Sequence, residues 1–126
     1  MRLINAPLWT VRLQDCDQVW IKGIHIFSDL EKGVNADGID MNSCRDVTIK
    51  NCKITTGDDA IVLKTRYDEP CENIRVSNCV LSSSSTALKL GTESFGDFRN
   101  IRFENCKVLN SNRGLSIVVR DGGTVE

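Results

Sequence analysis

The sequence predicts an all-β protein, a parallel β-helix of four to five coils forming one domain over residues 1–126. Two observations carry this. Four segments repeat one pattern at intervals of 27 or 28 residues, and no stretch of a dozen residues shows a helical period. A repeat of that length, holding two or three short strands, is the signature of a solenoid in which each turn stacks on the last.

The first strand series reads CDQVWIKGIHI (16–26), CRDVTIKNCKI (44–54), CENIRVSNCVL (71–81) and FRNIRFENCKV (98–108). Its leading apolar positions, Val19, Val47, Ile74 and Ile101, lie 28, 27 and 27 residues apart. The second series is GIDM (38–41), AIVLK (60–64), ALKLG (87–91) and GLSIV (114–118). Its last three members are again 27 apart, while the first interval is 22, so the chain absorbs a longer insertion around FSDLEKGVNA (27–36). Residues 8–13 are expected to supply the second strand of a leading coil. Alternation turns Ile39, Met41, Ile61, Leu63, Leu88, Leu90, Leu115 and Ile117 inward and Asp40 outward. Asn, Gly, Ser and Asp punctuate the strands, as turns require.

Stacking sets equivalent positions about 4.8 Å apart, which explains the six cysteines. Cys16, Cys44 and Cys71 form one column, continued by Phe98. Cys52, Cys79 and Cys106 form another, headed by Ile24. Columns that alternate with Phe and Ile are apolar, and buried free cysteine behaves as a small hydrophobe. Reduced thiol columns are therefore the expectation. Disulfides between coils and metal ligation are the alternatives. The Asn51, Asn78 and Asn105 column, with Gly23 at its head, is expected to be a buried amide ladder at a coil corner.

Bulk properties narrow the function. Hydrophobic residues make up 40% and charged residues 26% of the chain, as in an ordinary soluble domain. A net charge of −1 without a basic run argues against nucleic acid or an anionic membrane as the main partner. No apolar run reaches the roughly 18 residues of a membrane span, and MRLINAPLW lacks the apolar core of a signal peptide. No cofactor or metal set is expected.

The informative cluster is acidic. In register, Asp37 shares a column with Asp59, Thr86 and Arg113, and Asp58 shares one with Ala36, Ser85 and Asn112. A single Asp in such a turn is ordinarily a backbone cap. Three on two successive coils repel one another unless a proton, cation or substrate intervenes, and the next coils place Ser85-Thr86 and Asn112-Arg113 there instead. The scaffold does not need acids at this turn. Crowded carboxylates suit glycosidic hydrolysis, which needs one protonated and one ionised group. Calcium held by Asp37, Asp58 and Asp59 is the other use. The competing functions are a calcium-dependent lyase with Lys89 or Arg113 as base, and a non-catalytic glycan-binding module.

The paired stretches NADGID (35–40) and GDDAIVLK (57–64) resemble the central signature of the polygalacturonase-type glycoside hydrolases, family 28. The likeness covers nearly the whole chain. It implies a right-handed β-helix that hydrolyses pectic polysaccharides with inversion. Asp58 resembles the general acid, and Asp37 and Asp59 resemble the pair that holds and activates water. Lys64 lies on the outward face beside them. The family's Asn-Thr-Asp is Asn35-Ala36-Asp37 here. Its Gly-His-Gly falls on Ser85-Thr86-Ala87, and its uronate-binding Arg-Ile-Lys falls on Ser116-Ile117-Val118. Lys64, Lys89, Arg113 and Arg120 are the cations expected to bind substrate in their stead, while the single histidine, His25, is expected at a surface or corner. By the same resemblance the chain is expected to be part of a longer β-helix, a monomer in full-length form, secreted or periplasmic.

Overall fold

The structure, a computed structural model, describes all of residues 1–126 and contains strands and turns but no helix. The first coil carries β1 (Arg2–Ile4), β2 (Val11–Gln14) and β3 (Asp17–Lys22), and the second carries β4 (His25–Phe27), β5 (Ile39–Asn42) and β6 (Arg45–Lys50). The third holds β7 (Lys53–Thr56), β8 (Ile61–Thr65) and β9 (Cys71–Ser77). The fourth holds β10 (Val80–Ser83), β11 (Thr86–Ser94) and β12 (Phe98–Glu104), followed by β13 (Lys107–Val108) and β14 (Arg113–Val119). Equivalent strands pair in parallel into three sheets, β1-β4-β7-β10-β13, β2-β5-β8-β11-β14 and β3-β6-β9-β12. This is the parallel β-helix that the repeat predicts.

Register follows the sequence spacing. Val19, Val47, Ile74 and Ile101 stand one on another. The short interval in the second series also appears, with Ile39 facing Ile61, and β2 pairs with β5 as the leading strand. The insertion lies in the connection 28–38 between β4 and β5.

Three inward faces make the core. Ile26, Ile54 and Leu81 come from one sheet, Ile39, Met41, Ile61 and Leu63 from the second, and Val47, Ile49, Ile74 and Val76 from the third, all buried. Each such side chain contributes roughly 1.5–3 kcal/mol relative to exposure. Leu115 and Ile117 take the inward register on β14 but are exposed, because β14 is the outermost rung of its sheet.

All six cysteines are free thiols. Both columns form as expected, with Cys71 paired to Phe98. Cys16, Cys44, Cys52 and Cys79 each donate to the carbonyl two residues back, at 3.3–3.4 Å. Burial pushes the Cys71 thiol up to about 12, which suits a packing residue rather than a reactive one.

The Asn51, Asn78 and Asn105 column departs from expectation. These side chains are exposed, not buried. Their role is in the backbone: φ is 56°, 53° and 51°, and Gly23 heads the column at 68°. Left-handed backbone costs most L-residues about 1–2 kcal/mol, and Asn and Gly tolerate it best. An amide ladder forms at a different corner, where Asn100 donates to Asn73 Oδ1 and Asn73 donates to Asp46 Oδ1, each at 2.9 Å.

Candidate active site

The acids sit at the turn that leads into the middle strand of each coil. Gly38 N–H donates to the Asp59 carbonyl at 2.9 Å, and Ile39 N–H to that of Ala60 at 2.9 Å. Asp37 and Asp59 are therefore neighbours on adjacent rungs, about 4.8 Å apart along the stack. The Asp58 carbonyl accepts the hydroxyls of Thr56 and Ser83, each at 2.7 Å. Asp58 Oδ1 accepts the Asp59 N–H at 2.9 Å. Glycine is required just before: a Cβ on Gly57 would strike the carbonyl oxygen of Gly33. The 28–38 insertion thus rests directly on the turn that carries Asp58, and the Ser84 hydroxyl ties it down through the Leu30 carbonyl.

The three acids differ in environment. Asp59 is buried and fully engaged. Its Oδ1 accepts Ser85 Oγ at 2.8 Å and Thr86 N–H at 3.1 Å, and its Oδ2 accepts Lys89 Nζ at 2.7 Å. Asp58 is half-buried and opens into the groove. Asp37 is only 4% exposed and accepts no side-chain or backbone donor. Burial, followed by the charge of Asp58, pushes its carboxyl up to about 7; Lys64 opposes the rise, and Asp59 and Asp40 add to it. Asp29 shows the contrast. It caps the N–H groups of Glu31 and Lys32, each at 2.9 Å, and the Lys32 and Glu31 hydrogen bonds hold it below the usual carboxylate range. Asp29 is a turn residue, and Asp37 is not.

Asp40 points out of the coil as expected, yet it is buried. Lys64 Nζ covers it at 2.6 Å, with Glu93 at 3.8 Å. Burial raises the Asp40 carboxyl, and the Lys64 hydrogen bond restrains that rise. For Lys64, burial favours the neutral amine, but the Asp40 hydrogen bond and the charges of Asp40, Glu93 and Asp37 outweigh it and raise the value.

An open groove of about 390 Å³ collects these groups. Trp9, Asn35, Asp37, Asp58, Asp59 and Lys64 line one part, and Lys89, Thr92, Glu93 and Arg120 complete it. Arg113, expected among the binding cations, stands exposed at the head of β14, outside the groove. His25 begins β4, in register with Arg2 and Lys53 and away from the acids. A hollow of about 420 Å³ beside residues 5–7 holds one carboxylate, that of Asp29, whose oxygen is already committed to capping.

Sequence reasoning missed three groove residues, Trp9, Thr92 and Glu93. Trp9 carries Lys64 Nζ at 4.7 Å and the Arg12 guanidinium at 4.9 Å from its ring centre. Thr10 N–H donates to the Asp37 carbonyl at 2.8 Å, so Trp9 heads the column of Asp37 and Asp59; its 28-residue offset from Asp37 was the available signal. Glu93 had none. It enters the groove because β11 slips register between Leu90 and Ser94.

The arrangement suits acid–base work more than cation binding. Asp59 has already committed both oxygens, and the three acids do not converge as a metal set. Neither base named for a lyase is free at the site, since Lys89 is bonded to Asp59 and Arg113 stands off.

Residues 1–126 match the family described as glycosyl hydrolases family 28. A probable polygalacturonase of Vitis vinifera is 35% identical over 69 residues, 55% of this chain and 14% of its own length. One from Arabidopsis thaliana is 32% identical over 62 residues, 49% of this chain and 13% of its own. The crystal structure of a hyperthermoactive exopolygalacturonase from Thermotoga maritima superposes with a TM-score of 0.90 at 33% identity, over 99% of this chain and 30% of the other. The chain thus spans under a third of the length of each of these relatives. A match running from the first residue to the last, on a coil register that superposes this closely, leaves one conclusion: the chain belongs to glycosyl hydrolase family 28.

Proposed function

We propose that this chain carries the acid–base centre of an enzyme that hydrolyses glycosidic bonds in pectic polysaccharides, of galacturonan or rhamnogalacturonan type, with inversion. One observation carries the proposal: in a single groove Asp37 retains a proton to about pH 7, while Asp59 is held by three donors. Inverting hydrolysis needs that division, with one carboxyl protonating the leaving oxygen and another activating water across about 6.5–9.5 Å. In this reading Asp58, the most open of the three, is the general acid. Asp37 and Asp59 hold and activate the water. Lys64, Lys89 and Arg120 hold the sugar, with Trp9 as a wall. This assignment requires Asp37 to give up its proton once sugar binds. In the same reading the full-length enzyme is exported and acts as a monomer.

The retained proton also favours a second assignment, with Asp37 as donor and Asp58 as base. Two substrates separate the assignments in the full-length protein. An aryl glycoside with an activated leaving group needs no acid, whereas a pectic oligosaccharide does. Asp58→Asn is expected to lose about 10²–10⁴-fold on the oligosaccharide and little on the aryl glycoside, while Asp37→Asn loses both. The opposite pattern exchanges the roles. Undiminished oligosaccharide turnover by Asp58→Asn would remove the acid–base reading altogether.

A further inference from the structure

We propose that the outward face of the sheet β3-β6-β9-β12 is a second polysaccharide-binding surface, which takes an anionic, uronate-containing chain against Trp20. Trp20 is 79% exposed. The other tryptophan, Trp9, has two cations over its ring, whereas Trp20 has no such cover. A lone exposed aromatic residue is ordinary, but this one stands at the end of a groove. The hollow, about 240 Å³, runs from Trp20 past Thr48 and Lys50 to Arg75 and Glu104.

Register builds the charge. Trp20 faces Thr48, Thr48 faces Arg75 and Arg75 faces Arg102. Lys22 and Lys50 pair in the adjacent column. Lys22, Lys50, Arg75 and Arg102 thus gather on one face although they lie 25 to 28 residues apart in sequence, and no linear basic run betrays them. Glu104 neutralises Arg75 at 2.6 Å, and Asp46 at the margin is committed to Asn73. Lys22, Lys50 and Arg102 make no ion pair within the protein.

The chemistry fits a polyuronate. The indole offers a flat apolar face for the C–H side of a pyranose, and Thr48, Ser77, Asn78 and Asn105 offer hydrogen bonds to hydroxyls. Each of the four coils, about 4.8 Å apart, sets one cation on this face, Lys22 and Lys50 in one column and Arg75 and Arg102 in the next, as carboxylates repeat along the polymer. Four rungs give about 14 Å of contact. This sheet is not the one bearing Asp37, Asp58 and Asp59, so a chain held here leaves the acid groove free and raises the local concentration of polymer. The proposal stands whether or not the acid groove hydrolyses pectin.

Two tryptophans in the chain make the test direct. In the Trp9→Phe protein, fluorescence reports Trp20 alone. Polygalacturonate should shift and quench it saturably, and Lys50→Glu should weaken the apparent affinity about tenfold or more. Neutral galactan and polyglutamate are the controls and should each respond at least tenfold more weakly. Retention of Trp20→Ala in a polygalacturonate affinity gel should fall well below that of the parent, to what the acid groove alone supports, and unchanged retention overturns the proposal. An absent response to polygalacturonate overturns the proposal. An equal response to galactan overturns its charge component, and an equal response to polyglutamate reduces the face to a bare cationic patch.

Discussion

Replacing Asp37 by Asn is the sharpest test of the acid cluster. The carboxyl is buried and accepts no hydrogen bond, and it rises from 3.8 to about 7. Between those values the folded chain keeps a proton that the unfolded chain releases. The stabilisation from this site is therefore full below about pH 4 and is lost progressively up to about pH 7. The loss amounts to about 4 kcal/mol at most. Asn mimics the protonated acid and does not titrate, so it should escape that loss. Relative to the parent, the variant should gain up to about 4 kcal/mol in moving from about pH 4 to about pH 8, or about 15 °C in Tm for a chain of this size. Thermal unfolding followed by circular dichroism across that range checks it. Parallel stability curves for parent and variant would mean that Asp37 ionises normally, and the physical case for a proton-holding site would fall with it.

Two further outcomes follow from the same geometry. Lys89→Met removes the cation bonded to buried Asp59 and should cost about 3 kcal/mol in urea unfolding near neutral pH, less than a wholly stranded charge because Ser85 and Thr86 still donate; no loss would mean that the pair contributes nothing. Asn78→Ala should cost about 1–2 kcal/mol, and Asn78→Gly a few tenths, because only the left-handed backbone is at stake; equal losses would restore a side-chain role.

The repeat made the fold legible. A 27-residue period dictates which strands stack, and once Val19, Val47, Ile74 and Ile101 align, the thiol columns and the inward aliphatics follow by counting, while the Asp37–Asp59 adjacency follows from the shorter, 22-residue first interval of the second series. The Asn corners were legible as corners but not as exposed. Asn suits both a buried amide ladder and a left-handed turn, and only φ and exposure separate the two.

The sequence by itself determined the coil architecture and brought three acids to one turn, because both depend on spacing along a regular winding. What each acid does depends on neighbours from other coils and from irregular segments. Lys89 reaches Asp59 from the next rung, Lys64 covers Asp40 diagonally, and Glu93 joins the groove only through a register slip in β11. Trp9 closes it from a leading coil. Burial and charge act through space, so the tertiary structure alone decided that Asp37 keeps a proton while Asp59 is pinned by three donors.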